Sequence, residues 1–332
     1  MKRQLFALFT LFLSITLQAA SPWDGTTIAT SYAGGSGSLS DPFQISSPAE
    51  LAYLGQNVNG GTNYFNKYFI LTSNLDLNKK PWTPIGNSRN AFKGSFDGNS
   101  HLISNLNVNL PTAIGVGLFG IVQDAFIKNF GIVGTSTVIG SANVGGIIGQ
   151  YTAYKPGFSV SGCFSNATVS GGSDTEGIGG IVGYYYTSAS VDPTPANLIT
   201  NCYSTGSISG SNFVAGIVGK VQQKNPEIGV LTISNSYSTG LIIASASRPF
   251  RGGIVAKAKN HSVNVTNCYY IDGDGANANS AKMKVAKDMK DAGFVTTLNA
   301  SQMPAAWMAD AADSKSLNNG FPILVWSSQK RK

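Results

Sequence analysis

The chain has 332 residues, 39 of them glycine, with 12% charged residues and a formal net charge of +7. Without Lys2 and Arg3 the charge falls to +5, and Lys330, Arg331 and Lys332 at the far end carry three of what remains. The body therefore lacks the basic field that nucleic-acid binding needs, and its regularly recurring apolar triplets exclude low-complexity disorder in favour of a sheet-rich, turn-rich protein.

Residues 1–20 read as a secretory signal: Lys2 and Arg3, an apolar core from Leu5 to Leu17, and small residues at Ala19-Ala20 before Ser21. The core is short for a membrane span, no cysteine marks a lipoprotein anchor, and no later apolar run reaches 18 residues. The expected location is exported: periplasm, cell surface or medium.

Residues 21–110 form an N-terminal cap and the first coils. Ser47-Pro-Ala-Glu50 is a capping box with proline at the first helical position, and Leu51, Leu54 and Val58 fall on one face, so a helix is predicted from Pro48 to about Val58. Tyr68–Leu71 and Leu75–Leu77 read as strands, followed by Trp82-Thr-Pro-Ile-Gly86. A tight turn at Asp97-Gly98 is expected to join Phe92–Phe96 to Leu102-Ile103 as a hairpin.

Residues 111–272 repeat. Openings at Gly117-Leu-Phe-Gly-Ile-Val122, Gly145-Gly-Ile-Ile-Gly149, Gly179-Gly-Ile-Val-Gly183, Ala215-Gly-Ile-Val-Gly219 and Gly252-Gly-Ile-Val-Ala256 recur about 28 to 37 residues apart, a solenoid period. A second pattern follows each: Asn129-Phe130, Gly162-Cys-Phe-Ser165, Asn201-Cys-Tyr-Ser204, Asn235-Ser-Tyr-Ser238 and Asn267-Cys-Tyr-Tyr270. Its first column (Asn129, Gly162, Asn201, Asn235, Asn267) holds the residues that most readily adopt positive φ, so it reads as a left-handed bend once per coil, with asparagines able to bond along the column. Cys163, Cys202, Ser236 and Cys268 form the next column. A slot accepting Cys or Ser reads as small and inward-facing, although Cys163 and Cys202 on adjacent rungs lie within disulfide reach. Phe164, Tyr203, Tyr237 and Tyr269 are expected to stack. Variable stretches such as Tyr184–Asn197 and Lys220–Gly229 should leave the body as loops.

Residues 273–332 form a C-terminal cap. Met283, Val285, Ala286 and Met289 give a helical signal stopped by Gly293, and Trp307, Leu317, Phe321–Val325 and Trp326 supply apolar mass to cover an exposed strand edge. The whole predicts an all-β, single-chain β-helix-like solenoid with a short N-terminal helix and capped ends; glycine corners permit either hand, and precedent favours the right.

The aligned patterns resemble the GLUG motif, a Gly-Gly-Leu/Ile-Val-Gly run followed by Ile/Val-x-Asn-Cys/Ser-Tyr-x-x-Gly; Gly179–Gly183 with Ile199–Gly210 fits it closely. Trp82–Gly86, Phe92–Gly98 and Asn319–Leu324 are similar to what surrounds such repeats. Ala256 and a weak first repeat depart from it. The resemblance implies a β-helix-like solenoid in exported or surface bacterial proteins, adhesin-like ones among them.

Catalytic constellations are missing from the sequence. His101 and His261 are isolated, so a His-Glu-x-x-His zinc peptidase is excluded, and no nucleophile elbow precedes a helix. A lyase or glycosidase on this scaffold needs clustered carboxylates, yet Asp124, Asp174, Glu176, Asp192 and Glu227 share no rung position. Asp272-Gly-Asp274 with Asn277 and Asn279 lacks the closing glutamate of a calcium loop and reads as a turn. No metal or cofactor is expected. An ice-binding column of threonine is not formed by Thr168, Thr205 and Thr239. A binding face is easier to build: the segments after the openings carry Tyr151 and Tyr154, then Tyr184, Tyr185 and Tyr186, then Lys220 and Lys224, then Lys257 and Lys259. Superposed, they would run an aromatic patch into a basic strip suited to acidic sugars; the plainer reading turns half the tyrosines inward by strand alternation. The expected function is an exported, non-catalytic interaction protein, adhesin-like, with glycans or host or cell-surface proteins as partners and no transmembrane segment in the body; a polysaccharide-active enzyme is the alternative.

Overall fold

The computed structural model describes residues 21–172, 177–188, 196–224, 231–247, 249–258, 263–271, 281–300, 302–311 and 316–330. The expected signal segment, Asp174, Glu176, Asp192, Glu227, Lys259, His261 and the Asp272–Asn279 stretch lie outside the described residues.

Each repeat folds as one coil of an all-β solenoid with three walls. The first wall runs through Phe43–Ile45, Tyr68–Leu71, Ser95–Ser104, Phe126–Val133, Ser159–Ser161 with Phe164–Ser165, Asn197–Thr200 with Tyr203–Ser204, Leu231–Ser238, Val263–Ile271 and Lys282–Lys284. The second stacks Asn107–Val116, Thr137–Gly145, Thr168–Gly171 with Ile178–Gly179, Ile208–Gly210 with Val214–Ala215, and Ile242–Ala244 with Arg251–Gly252. The third stacks Phe119–Gln123, Ile148–Ala153, Val182–Thr187, Val218–Gln223 and Val255–Ala258. Strands within each wall pair in parallel, so equivalent residues of successive repeats sit directly on one another.

That register fills the interior with ladders of like side chains. Ile127, Val160, Ile199, Ile233 and Val265 line up inside the first wall, Val138, Val169, Ile208 and Ile242 inside the second, and Phe119, Ile148, Val182, Val218 and Val255 inside the third; all are buried. Trp82–Gly86 begins the same stack one coil early, since Ile85 bridges Phe119 and Phe92 bridges Val122 in parallel.

The Gly-Gly pair of the opening has a steric cause. A Cβ on Gly146 would lie 2.5 Å from the Ser165 hydroxyl, one on Gly180 2.2 Å from that of Ser204, and one on Gly216 2.4 Å from that of Ser238. The two recurring patterns are thus the two sides of one contact across a narrow interior. The bend column is built as its residue types require: Asn129, Asn201, Asn235 and Asn267 have φ of 58°, 53°, 48° and 51°, and Gly162 has 60°. Bonding along the column is direct only from Asn267 Nδ2 to Asn235 Oδ1 (2.7 Å). Cys163, Cys202 and Cys268 are free thiols, buried in one slot with Ser236.

At the N-terminal end the helix spans Pro48–Asn59 with its capping box formed, and Leu51, Leu54 and Val58 join the core. The expected Asp97-Gly98 hairpin is corrected: Ser95–Ser104 is a single strand with a bulge, Asn99 and Ser100 at positive φ, and both halves pair in parallel with Phe126–Val133. A hairpin would have turned one half antiparallel to its neighbours. The C-terminal helix signal also resolves differently, into Ala286–Met289 and Ala292–Asn299, because Asp291 caps the second helix by accepting from Gly293 N–H at 2.7 Å. Gly293 opens a helix rather than ending one.

The C-terminal region adds Lys282–Lys284 to the last coil and then runs back along the first wall. Met289, Phe294, Leu298, Trp307, Phe321 and Leu324 bury the outward aromatic column of Phe164, Tyr203, Tyr237 and Tyr269. Phe164 stacks on Tyr203 at 4.6 Å and Tyr203 on Tyr237 at 5.1 Å, the rings nearly parallel in both pairs. The strip is tied by hydrogen bonds: Trp326 Nε1 donates to the Gly162 carbonyl (3.1 Å), Trp307 Nε1 to Asn201 Oδ1 (3.2 Å), Asn201 Nδ2 to Gln302 Oε1 (2.9 Å), and the Tyr237 hydroxyl to the Pro322 carbonyl.

Candidate functional site

Strand alternation on the third wall decides which of the predicted binding residues face outward. In Val182–Thr187, Tyr184 and Tyr186 point out, half-buried, while Tyr185 points in and is 2% exposed. Tyr151, one rung earlier and paired with Tyr185, is 1% exposed. These two leave the predicted binding set: their rings stack at 5.4 Å inside the solenoid, and the Tyr151 hydroxyl donates to the Ala125 carbonyl (2.5 Å) and accepts from Ala125 N–H (3.1 Å). Burial holds both phenols well above their ordinary range, so neither ionises as a site residue would.

Of the others, Tyr184, Tyr186, Lys220 and Lys257 belong to strands of this one wall. Ile121, Gln150, Tyr184, Lys220 and Lys257 occupy one register column, and Gln123, Thr152, Tyr186 and Gln222 the next. Stacked strands are roughly 4.8 Å apart, so the first column is roughly 19 Å long. Lys220 Nζ lies 5.4 Å from the centre of the Tyr184 ring and 5.3 Å from that of Phe213, which itself stacks on Phe250 at 5.1 Å. Such contacts hold a flexible cation near the rings. Lys224 is exposed just past its strand, and Lys257 is in register beside Lys220.

Tyr154 is 48% exposed at the far edge of the same wall. Its place is set by Asp124, whose Oδ1 accepts from the backbone N–H groups of Tyr154 (2.8 Å) and Lys155 (3.1 Å). Asp124 is therefore a buried anchor for this corner of the wall. Beside Tyr154 opens a groove of about 620 Å³ between the third wall and the Asn87–Lys93 loop, lined by Arg89, Lys93, Gln123, Gln150, Thr152 and Tyr154 among others. Reading the sequence by repeats misses Arg89 and Lys93, because they precede the first opening. The one signal for them is the likeness of Trp82–Gly86 to a coil, which places the residues after it beside the later strips.

Carboxylates are absent from both columns and from the groove lining among the described residues, and no three His, Cys, Asp or Glu side chains of those residues converge as a metal site. His101 is half-buried in the first wall, its Nδ1 3.3 Å from Asn74 Oδ1. The three thiols donate to backbone carbonyls; burial pushes Cys202 and Cys268 up to about 12 and Cys163 well above the ordinary thiol range. The third wall and the loop beside it offer aromatic rings, side-chain amides, a hydroxyl, and ammonium and guanidinium groups.

No helix among the described residues is long and apolar enough to cross a membrane. No family model matches the chain. It is similar to Halomucin of Haloquadratum walsbyi, 27% identical over 211 residues that make up 60% of this chain and 2% of that protein. It is also similar to a protein of Evansella cellulosilytica named as a Gly-rich membrane protein, 31% identical over 123 residues, 36% of this chain and 14% of that one. The chain thus spans a small fraction of these curated relatives. Among solved structures it superposes, with a TM-score of 0.57 and 22% identity, on a Bacteroides ovatus protein that bears the name of an immunoglobulin A1 protease, covering 89% of this chain and 96% of that one. At that identity the likeness concerns architecture: the chain is a parallel β-solenoid.

Proposed function

We propose that this protein is an exported, non-catalytic interaction module of the GLUG-repeat kind, adhesin-like, which holds acidic glycan chains along its third wall. The observation that carries the reading is the register of that wall, which lines up Gln150, Tyr184 and Lys220 in one column and places the backbone of Lys257 next in it. A rigid sheet presents these groups already spaced, so little ordering entropy opposes binding of an extended polymer. Low net charge in the body argues against nucleic acid as the polyanion. The names of the two curated relatives, a halomucin and a Gly-rich membrane protein, support a place at the cell envelope, and the secretory pattern of the first residues agrees with it.

The reading is tested by screening the purified protein on a glycan array beside turnover assays on the same polysaccharides. Binding without product is expected. Replacing Tyr184, Tyr186, Lys220 and Lys257 together by Ala should weaken binding by at least about 10-fold, since ring stacking and charge-assisted contacts are each worth about 1 kcal/mol or more. Undiminished binding by a folded variant, or steady product release by the native protein, would sink it.

A further inference from the structure

The groove at the N-terminal end of the third wall has a chemistry of its own. Its charged lining groups are Arg89, which is exposed, and Lys93, which is half-buried; both are cationic. The ion pair recorded among the described residues, Lys128 with Asp97, lies elsewhere. Two cations with no carboxylate between them in a concave site favour an anion there.

The groove is also built to stay open. Asn59, the last residue of the N-terminal helix, holds the loop that forms one side: its Oδ1 accepts from Gly86 N–H (2.9 Å) and Asn87 Nδ2 (3.3 Å), and its carbonyl from Asn90 Nδ2 (2.9 Å). Asn87 Oδ1 in turn accepts from the backbone N–H groups of Arg89 and Asn90, each at 3.0 Å. On the other side Asn143 Nδ2 donates to Gln150 Oε1 (3.0 Å), Gln150 Nε2 donates to the Thr152 hydroxyl (3.1 Å), and Asp124 fixes the backbone of Tyr154. A volume of about 620 Å³ falls in the range of small-ligand sites. Gln150 belongs both to this groove and to the column of Tyr184 and Lys220, so an extended chain lying on the column ends in it.

We propose that this groove is an anion-reading sugar subsite: Arg89 and Lys93 take the carboxylate or sulfate of an acidic sugar residue, while Tyr154, Gln123 and Gln150 meet its ring and hydroxyls. The proposal rests on the third wall being a glycan-binding surface and adds where, and by which residues, charge on the glycan is recognised. A nucleic acid is disfavoured because two cations release too few counterions to hold a duplex or single strand, whereas amides and a ring beside a cation pair suit a charged sugar.

The test compares binding of three polymers: a polyuronate, the same polymer with its carboxyls reduced, and a sulfated form of the reduced polymer. The native protein should prefer at least one anionic polymer over the reduced one by about 10-fold or more, as expected for charge-assisted contacts; which anionic polymer is preferred assigns carboxylate or sulfate. In the double variant Arg89→Gln, Lys93→Gln that preference should fall by at least about five-fold from its native value, the remainder being what Lys220 and Lys257 of the column supply, while affinity for the reduced polymer stays at the native level. Both side chains are at the surface, and an unchanged thermal midpoint confirms the fold. A preference kept by the double variant overturns the groove and leaves the third-wall reading standing; absence of binding to all three polymers by the native protein removes both.

Discussion

At the residue scale the fold is governed by a contact across a thin interior. Gly180 has no room for a methyl group, because its Cβ would sit 2.2 Å from the Ser204 hydroxyl and 2.3 Å from the Gly216 carbonyl. Gly180→Ala is therefore expected to destabilise the protein by about 1–3 kcal/mol, as overpacking does, and Gly172→Ala, which meets nothing within 4 Å, by much less. Urea titration of the two variants checks the contrast. The thiol column makes a second prediction. Burial pushes Cys202 and Cys268 up to about 12, so at pH 8 almost none is thiolate and a thiol-specific reagent should modify the native protein far more slowly than the urea-unfolded chain. Rapid native labelling would contradict the burial. The bend and thiol columns were legible in the sequence because Asn/Gly and Cys/Ser exchange within a position reports a constraint of φ or of size. The partnership of the Gly-Gly pair with Ser165, Ser204 and Ser238 was not, since it joins the corner between the second and third walls to the first wall, and chain order alone does not place the two side by side.

At the element scale the C-terminal strip behaves unlike the coils it covers. Its packing depends on Trp307, 2% exposed between the rings of Tyr203 and Tyr237 at 5.8 and 5.4 Å. Trp307→Ala should cost about 3–5 kcal/mol, measured as a lowered urea midpoint. The strip's turn is held by Asp310. Partial burial acts to raise its pKa, but donation from the Ser316 hydroxyl and the N–H groups of Leu317, Asn318 and Gly320 outweighs this and leaves it below the ordinary 3.8. A lowered folded value means that the carboxylate stabilises the fold fully above about pH 4 and that the contribution disappears as pH falls through the lower value. Tryptophan fluorescence should therefore report loosening of the strip in acid, and Asp310→Asn should abolish that acid step while weakening the strip at neutral pH. A sequence shows that aromatic mass is present near the chain end. It does not show that the mass lies along a wall, because that placement depends on a non-periodic meeting of Trp307, Phe321 and Trp326 with rings more than 50 residues away in the sequence. Alternation, by contrast, is local, and it separates Tyr184 and Tyr186 from Tyr185 once the phase of Val182–Thr187 is known.

At the scale of the whole molecule, parallel stacking in register turns a period of residues into a period of space, which is why the architecture could be read from five short openings. Arg89 and Lys93 could not be read the same way, since they belong to a coil whose sequence barely matches the others. The strip that crosses the first wall has a mechanical consequence. Stacked repeats normally couple only to their neighbours, so a column of them can fray from one end. Here a single segment grips Phe164, Tyr203, Tyr237 and Tyr269 on four successive rungs, as a splint grips a broken rod, and those rungs should melt together. Removing residues 281–330 should spread one sharp thermal transition into a broad, sequential one, with the splinted rungs losing amide-exchange protection from the C-terminal end inward.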